Sequence, residues 1–151
     1  MHKRLLNSSK HLELYVIGEK SQIAPDYPDK GLLGPEMFNI YWKKEYQFSY
    51  THELAIGTFT LVPMPGCCGA VVSTSLFLEK QYRGTPIGKE FMELKEWTPE
   101  YLGYSAVFAT IQLKNLAELK SSAKRQYKII GNWKNDRTGN HLAIIFKKTN
   151  P

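Results

Sequence analysis

The residues LFLEKQYRGTPIGKEF, positions 76–91, decide the fold of this chain. The apolar run that ends at Leu78 predicts a strand. The apolar residues after it recur at spacings of four and three, which predicts a helix over residues 87–97 whose inner face carries Ile87, Phe91 and Leu94. Pro86 suits the first position of that helix because an N–H there would have no helical partner. The stretch therefore predicts a strand, a glycine-containing turn and a helix.

The turn has the chemistry of a phosphate-binding site. The first turn of a helix carries unpaired N–H groups and partial positive charge, and Gly84 and Gly88 would let a phosphate approach the backbone. Arg83 and Lys89 add positive charge. The glycine spacing matches neither a Walker loop nor G-x-G-x-x-G, and an ordinary structural turn explains these residues equally well.

Two apolar runs before the turn, residues 54–62 and 70–78, predict an antiparallel hairpin because the segment between them is rich in proline and glycine. Residues 12–17 predict a first strand, and residues 18–36 predict a long irregular loop. Pro35 is expected to open a short helix with one face formed by Met37, Ile40 and Tyr41.

After the central helix, Thr98-Pro99 predicts the helix end and residues 104–111 predict a buried strand. Asn115 is expected to cap a helix that runs to about Arg125, with Leu116 and Leu119 facing inward. Two last strands, residues 127–133 and 142–147, flank a turn. This order predicts one α/β (or α+β) domain, 1–151, with a mixed, mostly antiparallel sheet flanked by helices.

Composition excludes several classes of protein. A chain of 151 residues with 42% hydrophobic residues can bury a core and is not disordered. No apolar run approaches the roughly 20 residues that a membrane-spanning helix needs. The two cysteines, Cys67 and Cys68, are neighbours, which excludes a disulfide framework and a zinc site. We therefore expect a cytoplasmic protein without a metal.

The positive charge lies at one end of the chain. From residue 111 onward there are nine Lys and Arg residues against Glu118 and Asp136, whereas the first 110 residues hold 11 basic and 12 acidic residues. A basic C-terminal third suggests an anionic partner, either a nucleic acid or a phosphorylated small molecule. A merely solvated basic face is an equally good explanation.

The stretch around the turn resembles the acyl-CoA-binding motif of the GNAT superfamily of N-acetyltransferases. Leu76-Phe77-Leu78 matches the motif's strand, Tyr82-Arg83-Gly84 the step after it, and Ile87-Gly88-Lys89 the start of its helix. Further matches follow in order at Asn115, Lys124 and Tyr127. The likeness covers about residues 54–147, and residues 1–50 would form a variable substrate-side region.

The resemblance implies an acyl-CoA-dependent N-acyltransferase, most simply an acetyltransferase that uses acetyl-CoA and no metal. The backbone at Phe77 and Leu78 would hold the pantetheine arm, and the Leu78 N–H would polarise the thioester carbonyl. The remaining cofactor-binding positions implied by the resemblance are Arg83, Gly84, Thr85, Ile87, Gly88, Lys89 and Asn115. Pro86 replaces a common glycine and removes one N–H donor.

Two side chains are candidates for proton transfer. Ser122 stands where many family members carry a tyrosine general acid, although a serine hydroxyl donates a proton less readily than a phenol. An ordinary exposed helix serine is the alternative. Glu79 follows the strand and could deprotonate an ammonium group through water, or could be a solvated residue at the strand end.

Other functions stay open at this point. A degenerate family member could bind CoA or another anion without turnover. A nucleic-acid-binding module could use the basic C-terminal third, although no recognised nucleic-acid motif is present. The amine acceptor cannot be read from the sequence, and a homodimer is possible.

Overall fold

The computed structural model describes residues 3–17, 32, 34–47, 54–67 and 69–149. Among these residues eight strands form one sheet in the order β1-β2-β3-β4-β5-β6-β8-β7, in which every pair of neighbours is antiparallel except β5 and β6. The strands are β1 (Lys3–Ser8), β2 (Leu12–Ile17), β3 (Glu36–Trp42), β4 (Gly57–Pro63), β5 (Ala70–Leu78), β6 (Ala106–Gln112), β7 (Lys128–Lys134) and β8 (His141–Lys148). The helices are α1 (Pro86–Tyr101) and α2 (Leu116–Lys124). The predicted fold class is confirmed.

The core lies between the sheet and its helices. Along β2, β3 and β4 every second side chain is buried, as expected for strands with one covered face. Phe91 and Leu94 of α1 belong to this core. The helix lies so close to β4 that a Cβ added to Gly57 would be 2.3 Å from the Phe91 ring, so only glycine fits there. Arg125, at the end of α2, bonds to Glu96 of α1 and joins the two helices.

The predicted helix after Pro35 is wrong, because this segment is strand β3 between β2 and β4. Met37 is 48% exposed whereas Ile40 is fully buried, so the two lie on opposite faces of the sheet. Tyr41 shares the face of Met37. Pairing with two neighbouring strands therefore outweighs the local helix signal.

The helix end predicted at Thr98-Pro99 is also wrong, because α1 continues to Tyr101 with Pro99 inside it. A proline so near the end of a helix removes one N–H bond only, and the hydroxyl of Thr98 donates to the Leu94 carbonyl at 2.8 Å. Stacking of the Trp97 and Tyr101 rings, with centroids 4.4 Å apart, supports the last turn.

The inner face of α2 differs from the prediction as well. Asn115 caps this helix as expected, since its Oδ1 accepts from the Glu118 N–H. Leu116, however, is 66% exposed, so its predicted inward position is wrong. Leu119 packs against the core, and Ser122 is the fully buried residue of the helix.

Candidate functional site

A gap opens between the two parallel strands. β5 and β6 pair only where Ala70–Val72 lies beside Ala106–Phe108, yet β5 continues to Leu78 and β6 to Gln112. A bulge in β5 accompanies the separation, because the pairing with β4 shifts between Thr74 and Phe77. Ser75 in this bulge has a φ of 53°, a left-handed conformation that is uncommon for serine. A bulge bends its strand, which accounts for the divergence of β5 from β6.

The N–H of Leu78 faces this gap. Glu79 donates its N–H to the Ile56 carbonyl at 2.9 Å, which fixes the side of β5 that bonds to β4. Backbone groups of successive strand residues point to alternate sides, so the N–H and C=O of Leu78 point toward β6. The Leu78 carbonyl accepts from the Arg83 Nε at 2.8 Å. Phe77 turns its side chain, 52% exposed, to the opposite sheet face from Leu78.

The turn before α1 uses most of its own N–H groups. Arg83 donates to the Lys80 carbonyl and Thr85 to the Tyr82 carbonyl, both at 3.2 Å. The Thr85 hydroxyl caps α1 by accepting from the Gly88 N–H. Among the described residues the N–H groups of Gly84 and Ile87 donate to no acceptor. A ligand anion would thus find two free backbone donors here, fewer than the sequence suggests.

Gly88 is required by the turn itself. A Cβ at this position would lie 2.3 Å from the Tyr82 carbonyl oxygen, so no side chain fits without a backbone shift. The same oxygen accepts from the N–H and the hydroxyl of Thr85. Tyr82 is held in turn by Trp42 of β3, whose Nε1 donates to its hydroxyl at 3.2 Å. Gly84 differs, because its φ is 72° and a Cβ there would meet nothing within 4 Å.

The two candidate proton-transfer residues lie in different surroundings. Ser122 is 2% exposed and donates its hydroxyl to the Leu119 carbonyl at 3.0 Å, so the interpretation as an exposed helix serine is wrong. Glu79 is half-buried at the end of β5 and accepts from Gln81 Nε2 at 3.3 Å. Lys89 is exposed in the first turns of α1.

An ion cluster joins the far half of α1 to α2, β8 and the residue before β7. The Glu96 carboxylate receives Lys95, Arg125 and Lys147, each at 3.2 Å, and the Tyr127 hydroxyl at 3.1 Å. Burial works to raise the pKa of Glu96, but these three cations outweigh it and hold the pKa below its usual range. Burial lowers the pKa of Lys95, while burial and the Glu96 charge raise the pKa of Tyr127.

A second carboxylate braces the start of α1. Glu90 accepts from the Ser9 hydroxyl at 2.6 Å, from the His11 N–H at 3.0 Å and lies 2.7 Å from His11 Nδ1. Burial works to raise the pKa of Glu90, but the hydrogen bonds from Ser9 and His11 outweigh it and lower the pKa. The turn between β1 and β2 is thereby tied to α1.

No group of three or more His, Cys, Asp or Glu side chains within the described residues is placed to hold a metal ion. None of the helices in this part of the chain is long and apolar enough to cross a membrane.

Several solved structures of acetyltransferases share this fold. A GNAT family acetyltransferase from Elizabethkingia anophelis, with acetyl-CoA bound, aligns with a TM-score of 0.67 and 11% identity over 93% of this chain and 100% of its own. A probable acetyltransferase of the GNAT family from Chromobacterium violaceum aligns with a TM-score of 0.66 and 14% identity over 93% of this chain and 84% of its own. The IAA acetyltransferase from Bacillus cereus aligns with a TM-score of 0.61 and 11% identity over 76% of this chain and 78% of its own.

No protein-family model matches the sequence, and no curated protein matches it either. The likeness is therefore one of structure. This chain has the fold of the GNAT acetyltransferases, which confirms at the level of the fold the resemblance carried by residues 76–91.

Proposed function

We propose that this protein is a cytoplasmic, acyl-CoA-dependent N-acyltransferase that transfers an acetyl group from acetyl-CoA to an amine by direct attack. The observation that supports this most is the gap between β5 and β6, into which the Leu78 N–H points. The turn with the free N–H groups of Gly84 and Ile87 follows directly at the end of β5.

The residues around the turn fit the phosphates of CoA. Two backbone N–H groups, at Gly84 and Ile87, are available as donors, and Arg83 and Lys89 are exposed cations beside them. The space outside Gly84 is open, so a phosphate could reach the backbone there. Of the two positions that the resemblance assigns to the pantetheine arm, Leu78 faces the gap with a free N–H, whereas the backbone groups of Phe77 point to β4 by the same alternation.

When bound, the acetyl thioester supplies the activated acyl group. Leu78 would stabilise the negative charge that develops on the carbonyl oxygen by donating its N–H. Positioning of the amine in the gap would supply much of the acceleration. Glu79 would accept the ammonium proton through water before the attack. The second proton, which the nitrogen loses as the C–S bond breaks, would pass through the Ser122 hydroxyl to the departing sulfur, for which that hydroxyl must turn away from the Leu119 carbonyl.

Charge reversal at Arg83 tests the cofactor site. We expect Arg83→Glu to weaken CoA binding about tenfold, or roughly 1.4 kcal/mol, because a cation beside the phosphates becomes an anion. Calorimetry with CoA measures this, and a thermal melt shows whether loss of the bond to the Leu78 carbonyl affects folding. Lys10→Glu, the same reversal at an exposed residue of the β1–β2 turn, should leave the affinity unchanged. Equal CoA affinities of Arg83→Glu and Lys10→Glu would show that CoA does not bind at this turn.

Substitution of Ser122 tests the proton donor. Ser122→Ala should lower turnover by roughly tenfold, about 1.4 kcal/mol, while CoA affinity stays near that of the wild type. Release of free CoA in steady state measures the turnover. Ser122→Tyr does not test the proton donor alone, because Ser122 is buried and a phenol at this position would overpack the surrounding side chains. Unchanged turnover in Ser122→Ala would show that the sulfur departs without this hydroxyl.

A CoA-binding protein without transferase activity is the second candidate. The bond from the Ser122 hydroxyl to a helix carbonyl favours it, since the hydroxyl is already used. CoA binding by calorimetry, together with no acetyl transfer to a broad panel of amines, would support this candidate over the transferase.

A further inference from the structure

A cavity of about 280 Å³ opens where β6 ends, beside the turn that joins β7 to β8. Its lining residues are Gln112, Lys114, Gly139, Asn140 and His141. None of the four side chains in this set has a hydrogen-bond or ion-pair partner among the described residues. Four polar side chains without partners thus surround one space.

The chemistry of this lining favours an anion. Lys114 supplies a full positive charge, the amides of Gln112 and Asn140 supply N–H donors, and the His141 imidazole can donate a further N–H. No carboxylate is among the lining residues. A carboxylate or phosphate group would satisfy these donors together.

The cavity lies on the side of β5 to which the Leu78 N–H points. Val72 pairs with Phe108, and because the two strands are parallel, Gln112 is near the level of the last residues of β5. Because β5 and β6 are no longer paired at this level, the cavity, which lies at the end of β6 and the start of β8, is across the gap from the end of β5 and further from it than the roughly 4.8 Å between paired strands. A small elongated molecule could reach from the gap to the cavity.

We infer that this cavity binds the anionic end of the acyl acceptor, which is a small amine carrying a carboxylate or phosphate several bonds away from its amino group. This inference rests on the proposed function and adds the class of substrate. The amino group would lie in the gap near Leu78, and the anionic group would lie against Lys114 and Asn140.

Three acceptors that share a chain test the inference: 6-aminohexanoate, 6-aminohexyl phosphate and the neutral 6-aminohexanamide. With wild-type protein and acetyl-CoA, kcat/KM should be at least about tenfold higher for one of the two anionic amines than for the amide. Lys114→Glu should abolish this preference. Lys120→Glu, an equal reversal at an exposed residue of α2, should keep the preference.

Binding can be followed without turnover by backbone amide NMR. Addition of 6-aminohexanoate to the CoA-bound protein should shift the resonances of Gly139, Asn140 and His141, and Lys114→Gln should remove these shifts. Transfer to all three amines with equal kcat/KM would overturn the cavity's role and leave the transferase standing. Transfer to none of a broad amine panel would instead overturn the proposed function, and the acceptor role with it. Preference for an anionic amine that survives Lys114→Glu would also overturn the inference.

Discussion

Replacement of Glu96 by glutamine should lower the free energy of unfolding by about 3–5 kcal/mol, the range found when one partner of a buried ion pair is removed. The Glu96 side chain is 13% exposed and bonds to three cations. Its neighbour Lys95 is buried, and an amide at position 96 would remove the carboxylate to which that ammonium is bonded. Urea unfolding measures the loss. Glu93→Gln, at an exposed position of the same helix, should change stability by less than about 0.5 kcal/mol.

The effect of Glu96→Gln on stability should depend on pH, because folding lowers the pKa of Glu96. The pKa of Glu96 is lowered in the folded protein, so its contribution is present above the ordinary glutamate range, near about 4.3, and is lost as the pH falls through the folded pKa. The wild type should therefore lose this contribution in acid, and Glu96→Gln should lack that part of the acid transition. A loss below about 1 kcal/mol at neutral pH would contradict the prediction.

Substitution of Lys95, the buried cation bonded to Glu96, gives the variant to compare with Glu96→Gln. Lys95→Met takes away a buried ammonium, while Glu96 keeps Arg125, Lys147 and the Tyr127 hydroxyl. Because burial lowers the pKa of Lys95, the unfolded chain binds its proton more readily between the folded pKa and about 10.4, and wild-type stability rises with pH across that window. The methionine variant should lack this rise and should lose much less stability than Glu96→Gln.

Local patterns were sufficient for much of the fold. The strand, turn and helix of residues 76–91 and the cap at Asn115 follow from signals a few residues apart, and the structure contains all of them. β3 was not predictable in this way, since residues 36–42 allow both a helical and a two-residue period. Its two neighbouring strands select the latter. β1, whose sequence KRLLNS lacks a clear alternation, gave no signal at all.

Only the part of the site that is formed by residues close together in the sequence was predictable. The turn from Arg83 to Gly88 was recognised from the sequence, but the separation of β5 from β6 depends on a bulge at Ser75, a residue type that gives no sign of a positive φ. Apart from its neighbour Lys95, the partners of Glu96 lie 29 to 51 positions further along the chain, so no sequence window contains the cluster. The cavity beside β6 is likewise formed by two segments that meet only in the folded protein.

Gly88→Val should destabilise the protein by about 2–4 kcal/mol and also weaken CoA binding at least about tenfold. If Gly88 only left room for a ligand, valine would lower affinity and spare stability. The structure indicates otherwise, because a Cβ would collide with the Tyr82 carbonyl oxygen that holds Thr85. Displacing that carbonyl releases the Thr85 cap and also shifts the free N–H groups of Gly84 and Ile87.

Urea unfolding and calorimetry with CoA measure the two effects of Gly88→Val. The control is Gly131→Ala, where a Cβ would be 3.8 Å from Ile144. If Gly88→Val keeps full stability but loses CoA affinity, Gly88 only makes space for the ligand. If the variant is stable and binds CoA normally, this account of the turn is wrong.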